Sequence, residues 1–231
     1  PFGIRPLVIG KLNNSYIFAS ETCALDIVGA TFIREVENGE IVIIENNTLT
    51  STKPFPNQKS RPCVFEYIYF ARPDSIINGK CAYEYRKNLG SELAKETDLD
   101  ADLVVPVPDS GVPAALGYAV QSGKKFELGL IRNHYVGRTF IEPTQNIRSL
   151  GVKLKLSSTK SIVKDKSIIL IDDSLVRGTT CLKIVKMLYE GGAKEVHVRI
   201  ACPEIKFPDY YGVDMPTKEE LLAHKKNLSE M

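Results

Sequence analysis

The chain has 231 residues, of which 43% are hydrophobic and 25% charged, with a net charge of +2 at neutral pH. That balance excludes a disordered or fibrous chain and supports one large core or two smaller ones, and its mixed signs supply no overall field that would draw it to nucleic acid. The longest apolar runs, SIILI and EIVIIE, have strand length and fall far below the roughly 20 residues of a membrane-spanning helix, so no membrane partner is expected.

Five cysteines, Cys23, Cys63, Cys81, Cys181 and Cys202, are scattered with no CxxC spacing. That is the pattern of reduced thiols in a cytoplasmic protein. The first residue is Pro rather than Met, and a strand-like pattern begins almost at once, so the chain reads as an internal piece of a longer protein.

Residues 1 to 50 read as an antiparallel layer. The runs RPLVIGKL, SYIFAS and GEIVIIEN predict short strands, LNNS and ENGE supply turns between them, and ETCALDIVGA predicts a short helix. Residues 51–62, STKPFPNQKSRP, contain three prolines and no apolar period. They predict an extended linker, and the domain boundary is placed there.

From residue 63 the grammar becomes that of strands alternating with helices. ADLVVPVPD is an apolar run ending in Pro-Asp, SGVPAALGYAVQSG suits a helix, and FELGLIRN and SIILIDD read as strands. TTCLKIVKMLYEGG puts Cys181, Ile184, Val185 and Leu188 on one helical stripe, and EVHVRIACP closes the series. Such a series predicts an α/β fold, a parallel sheet with helices on both faces. Ligands of these sheets bind beyond the carboxyl ends of the strands, where VPVPDSG and ILIDDSLVRGTT both fall.

Two adjacent carboxylates, Asp172 and Asp173, end a run of four apolar residues and lead through Ser174, Arg177, Gly178, Thr179 and Thr180 into a helix. The Gly-Thr-Thr turn offers backbone N–H groups, two hydroxyls and a helix N-terminus, which suit a phosphate monoester. The carboxylates suit vicinal sugar hydroxyls or a magnesium ion held through water. A phosphorylated sugar is the ligand this combination implies. Taken alone, DDS also serves as a helix cap and PDSG as a capping turn.

IILIDDSLVRGTT resembles the phosphoribosylpyrophosphate (PRPP) motif of the type I phosphoribosyltransferases. The resemblance implies that Asp172 and Asp173 bind the ribose hydroxyls and take part in a Mg2+ site, and that Arg177, Gly178, Thr179 and Thr180, with Ser174 ahead of them, surround the 5-phosphate. Four further stretches, CVFEYIYFARPDS, VPVPDSG, NHYVGRTFIEPTQNIR and FPDYYGVDMPT, are similar to the glutamine phosphoribosylpyrophosphate amidotransferase family, the first enzyme of purine synthesis. PFGIRPL and ASETCALD resemble the later part of that family's N-terminal-nucleophile glutaminase domain. The resemblance thus implies the end of a glutaminase domain over residues 1–50, and a type I phosphoribosyltransferase domain over 63–231.

On the same basis Ser110, with Asp109 and Gly111 beside it, corresponds to the pyrophosphate loop and its Mg2+ contact. Arg138 in YVGRTFIEP belongs to the loop that closes over PRPP, and Arg132 adds positive charge nearby. His134 stands where many relatives carry Arg. The implied reaction is displacement of pyrophosphate at ribose C1 by ammonia from glutamine. The glutaminase nucleophile would precede residue 1, since Cys23 reads as a small buried residue of a helix.

A homo-oligomer is expected. Some relatives hold an iron-sulfur cluster on four cysteines; Cys63 matches one position, but Asp209 occupies another, so no cluster is expected. A PRPP-sensing regulator and a nucleobase phosphoribosyltransferase are the alternative readings. The retained VGRTF loop favours catalysis over the former, and the latter needs an aromatic pocket for a base after the PRPP motif.

Overall fold

The structure, a computed structural model, describes residues 2–135, 155–211, 217–227 and 230. The chain divides into two compact units, Pro1–Tyr85 and Arg86–Met231.

In the first unit, strands β1 (Val8–Leu12) and β2 (Ser15–Ala19) form a hairpin around the predicted turn, where Asn13 takes up a left-handed conformation. Helix α1 (Thr22–Val28) buries Cys23 and Leu25 and ends at Gly29, again left-handed. Strand β3 (Thr31–Glu35) then pairs antiparallel with the other edge of β1, giving the order β2-β1-β3. The sequence pattern does not mark TFIRE as a strand, because its apolar residues are half exposed and lack a clean alternation. A second hairpin joins β4 (Ile41–Glu45) to β5 (Thr48–Thr52), so the expected linker begins with two residues of strand.

The first unit runs on well past residue 62, and the reason is hydrogen bonding to side chains of the antiparallel layer. Glu21 Oε2 accepts from the Arg72 N–H at 2.7 Å and the Ser75 hydroxyl at 2.8 Å, Thr22 Oγ1 accepts from the Ile76 N–H, and Glu35 Oε1 accepts from the Asn78 N–H. The Cys63 N–H reaches the Ile4 carbonyl at 2.8 Å. These bonds bind a wide helical turn, Glu66–Phe70, and the small hairpin of β6 (Ile76–Ile77) and β7 (Lys80–Cys81) to the antiparallel layer. The compositional break at 51–62 is therefore not where the compact units part.

Arg34 makes a two-point ion pair with Glu40, at 2.8 and 2.5 Å, and Glu40 also accepts from the Glu37 N–H. The Arg34 hydrogen bond is the main reason that the Glu40 carboxyl sits at about 2. A lowered folded value means that the contribution is complete above the ordinary carboxylate range and lost as pH falls towards 2. Glu40→Gln is expected to cost about 1–2 kcal/mol at pH 7. Denaturant unfolding of variant and wild type should show the gap closing on acidification below 4.5, the carboxylate's unperturbed value.

The second unit is built on a four-stranded, all-parallel sheet of order β13-β12-β8-β9, with β8 (Leu103–Pro106), β9 (Lys125–Phe126), β12 (Ser167–Asp172) and β13 (Glu195–Ile200). Strand β12 is central and apolar on both faces, as parallel strands covered by helices must be. Ile169 and Ile171 pack with Ala114, Ala115 and Tyr118 of α3 (Val112–Ser122) on one face, backed by Leu93 of α2 (Ala82–Glu96). Ile168 and Leu170 pack on the other face with Ile184 and Leu188 of α5 (Thr179–Glu190) and Val163 of the short α4 (Lys160–Val163).

The predicted strand FELGLIRN is in fact two. Lys125–Phe126 joins the parallel sheet, the chain bends where the Gly129 N–H reaches the Glu127 carbonyl at 2.9 Å, and β10 (Leu130–Arg132) pairs antiparallel with β11 (Leu156–Ser158). A side chain on Gly129 would stand 2.9 Å from Val105, so glycine lets the backbone turn against the neighbouring strand. Among the described residues no helix is long and apolar enough to cross a membrane.

Candidate active site

Strands β8 and β12 are parallel neighbours, with Pro106 opposite Ile171. Their exits therefore lie side by side at the carboxyl edge of the sheet. The Val107 N–H donates to the Ile171 carbonyl at 2.8 Å, which ties the start of the PDSG loop to the residue before Asp172. Gly111 is buried, and a methyl group there would lie 2.5 Å from the Ile171 carbonyl oxygen. Only glycine allows the turn Pro108–Ser110 to approach the acidic strand this closely. The Pro108–Asp109 peptide is cis.

The acidic pair is organised by its own backbone. Asp172 Oδ1 accepts from the Asp173 N–H at 2.9 Å, and Asp173 Oδ2 accepts from the Ser174 hydroxyl at 2.7 Å. The carbonyls of Asp172 and Asp173 accept from the Ala201 and Cys202 N–H groups beyond the end of β13. Asp173 is only 6% exposed. Burial, and then the adjacent Asp173 charge, push the Asp172 carboxyl well above the ordinary carboxylate range. Burial also raises the nearby Cys181 thiol and pushes Cys202 up to about 11, so neither is a ready nucleophile.

Asp172, Asp173 and Ser174 do not cap α5: its N-terminus falls at Gly178, with no side-chain cap hydrogen bond. The same holds for the PDSG loop and α3, whose N-cap is Gly111. Both loops are thus free of the structural duty that competes with ligand binding. Gly178 has φ 77°, the left-handed region, and Thr179 and Thr180 stand exposed at the helix start that follows it. The first N–H groups of that helix have no intrahelical acceptors, and its dipole favours an anion there.

The structure thus brings Asp109, Ser110 and Gly111 to the same sheet edge as Asp172, Asp173, Ser174, Arg177, Gly178, Thr179 and Thr180. Arg132 closes one side, paired with Asp109 at 2.6 Å. Arg138 lies outside the described residues, as does most of the expected closing loop. The sequence reading missed two contacts of the phosphate-type loop, an ion pair from Arg177 to Glu220 and the packing of Leu222 on Gly178. TKEELLAHK resembles any solvated helix start, so no local signal marks them.

Two adjacent carboxylates and a glycine-led helix start thus share the carboxyl edge of a parallel sheet covered by helices on both faces. The chain belongs to the phosphoribosyl transferase domain family, whose sequence model matches residues 83–220. It is 59% identical over 230 residues to an amidophosphoribosyltransferase of Rhizobium etli, covering 97% of this chain and 46% of that protein. It is 51% identical to the chloroplastic amidophosphoribosyltransferase of Glycine max, over 100% of this chain and 41% of that one. Among solved structures, glutamine PRPP amidotransferase from B. subtilis complexed with ADP and GMP superposes with a TM-score of 0.91 at 51% identity, covering 99% of this chain and 50% of that one. The chain spans about half the length of the curated relatives it matches.

Proposed function

We propose that the protein is an amidophosphoribosyltransferase, making 5-phosphoribosylamine from PRPP and glutamine-derived ammonia and releasing pyrophosphate and glutamate, the first step of purine synthesis. The observation that carries this reading is the meeting of the acidic pair and the glycine-led loop at one sheet edge, in a chain 59% identical to an amidophosphoribosyltransferase. Residues 1–50 are read as the end of a glutaminase domain and 63–231 as the transferase domain, although 63–85 fold within the first compact unit. We read it further as a cytoplasmic homo-oligomer.

In this mechanism the α5 N-terminus, Thr179, Thr180 and Arg177 hold the 5-phosphate, and Asp172 and Asp173 accept hydrogen bonds from the ribose hydroxyls. Ser110 and its neighbours face the pyrophosphate. The C1–O bond to pyrophosphate breaks as the C1–N bond to ammonia forms on the opposite face, and the ammonium so produced loses one proton. The protein's part is to fix the reacting atoms in line and stabilise developing charge.

Asp172, Asp173 and Ser110 offer only oxygen ligands, which fit Mg2+, an ion usually held by one or two carboxylates together with substrate phosphates. When bound it would neutralise the departing pyrophosphate. Burial of Asp173 and the proton affinity of Asp172 accord with such a site, since two adjacent carboxylates are relieved by a cation.

Pyrophosphate release from PRPP by the full-length protein, with glutamine, ammonium or single nucleobases as the only acceptor, tests the reading. Release with glutamine and ammonium is expected. Release with a nucleobase alone, or PRPP binding without release, would replace it by one of the alternatives.

We read the glutaminase nucleophile as lying outside these 231 residues. Cys23, the one cysteine among residues 1–50, is buried in α1 with its pKa raised by that burial. The 231 residues alone are therefore expected to use ammonium weakly and glutamine not at all. We further propose that no iron-sulfur cluster is present: Cys63 is a free thiol in a loop, and Asp209 accepts from the Tyr211 N–H in a local turn. Stoichiometric iron and sulfide in anaerobically purified protein would refute this.

A further inference from the structure

A segment 43 residues downstream holds the phosphate-type loop at three points. The Arg177 Nε and Nη2 atoms both reach Glu220 Oε2 at 2.5 Å. The Leu222 N–H donates to the Val176 carbonyl at 2.9 Å. The Leu222 side chain covers Gly178, so that a methyl group on Gly178 would meet its Cδ2 at 3.1 Å. Leu221 is fully buried and anchors the segment. Glu220 is the last residue that the family model matches, and Leu222 lies beyond it.

We propose that Glu220 is a positioning residue for the 5-phosphate of PRPP, acting through Arg177. Both side chains are nearly half exposed, so the pair contributes little to folding. Its consequence is conformational. A free arginine samples many rotamers and loses them when phosphate binds, which weakens binding. Glu220 removes that freedom beforehand while using two of the five N–H donors of Arg177, leaving three for phosphate oxygens. Leu222 does the same for the backbone, pressing on the left-handed residue that starts the helix.

The inference rests on the PRPP reading above, and its test separates the two. In the intact protein, Glu220→Gln is expected to raise the KM for PRPP and the Kd for ribose 5-phosphate by about 3- to 10-fold, with kcat within about twofold of wild type. Binding of inorganic pyrophosphate, which engages the other loop, should not change. The double variant Arg177→Lys with Glu220→Gln should be no weaker for PRPP than Arg177→Lys alone, because both changes remove one device.

Unaltered KM in Glu220→Gln, additive effects in the double variant, or parallel loss of ribose 5-phosphate and pyrophosphate binding would each overturn the proposal. A wild-type protein that binds PRPP without turning it over leaves the Kd comparison to decide for or against Glu220. One that binds neither PRPP nor ribose 5-phosphate overturns both readings together.

Discussion

Replacing both Asp172 and Asp173 by Asn is expected to lower PRPP-dependent pyrophosphate release by at least about 10²–10³-fold while making the ligand-free protein more stable at neutral pH. The two effects have one cause. The carboxylates sit at the end of a buried strand, with Asp173 6% exposed, and for Asp172 burial and then the adjacent Asp173 charge oppose ionisation. Asp172 therefore binds its proton more tightly in the folded chain than in the unfolded one. As pH rises from about 4, the unfolded chain releases that proton first, so stability falls through the window between the ordinary carboxylate value and the raised folded one. Asn has no proton to lose and keeps a similar shape. Urea unfolding at pH 5 and pH 8 should show the variant's advantage growing with pH, to about 1–3 kcal/mol. Turnover at the wild-type rate would remove the pair from the site, and an unchanged pH slope would refute the charge argument.

The second large effect lies away from the chemistry. Gly117 of α3 and Gly90 of α2 face each other so closely that a methyl group on Gly117 would stand 1.8 Å from the Lys87 carbonyl oxygen, and one on Gly90 1.8 Å from that of Ala114. The Ser91 hydroxyl bridges the crossing to the Gly117 carbonyl at 3.2 Å. Because the obstacle is backbone on both sides, no side chain can swing aside. Gly117→Ala is expected to cost about 3 kcal/mol, the upper range for overpacking. Gly123→Ala, where nothing lies within 4 Å and only the left-handed φ of 67° resists, should cost about 1 kcal/mol. Thermal unfolding compares them directly. Since α3 begins at the PDSG loop, the Gly117 variant should also raise the KM for PRPP, and equal stability of the two variants would refute the packing argument.

Much of the parallel sheet was legible in sequence because its signals are local. SIILIDD and ADLVVPVPD are apolar runs stopped by acids or Pro-Asp, and a strand buried on both faces needs that pattern. The placement of both loops at one sheet edge follows from strand direction alone. So does the stripe of α5, where Ile184 and Leu188 are the buried members.

Other features depend on partners that no local pattern names. The bend that takes β10 out of the sheet relies on Gly129 meeting Val105, and β3 is a strand only because an edge of β1 lies beside it. Residues 63–85 belong with the antiparallel layer through hydrogen bonds to Glu21, Thr22 and Glu35, although their composition groups them with the parallel-sheet unit. The sequence by itself determined the residue types of the candidate site, the strands that carry them and their common edge, since strand period and turn chemistry act over a few residues. Only the tertiary structure decided that Asp173 is buried, that Asp172 resists ionisation and that Glu220 and Leu222 hold the phosphate-type loop, because burial, field and packing are set by segments that meet only when the chain has folded.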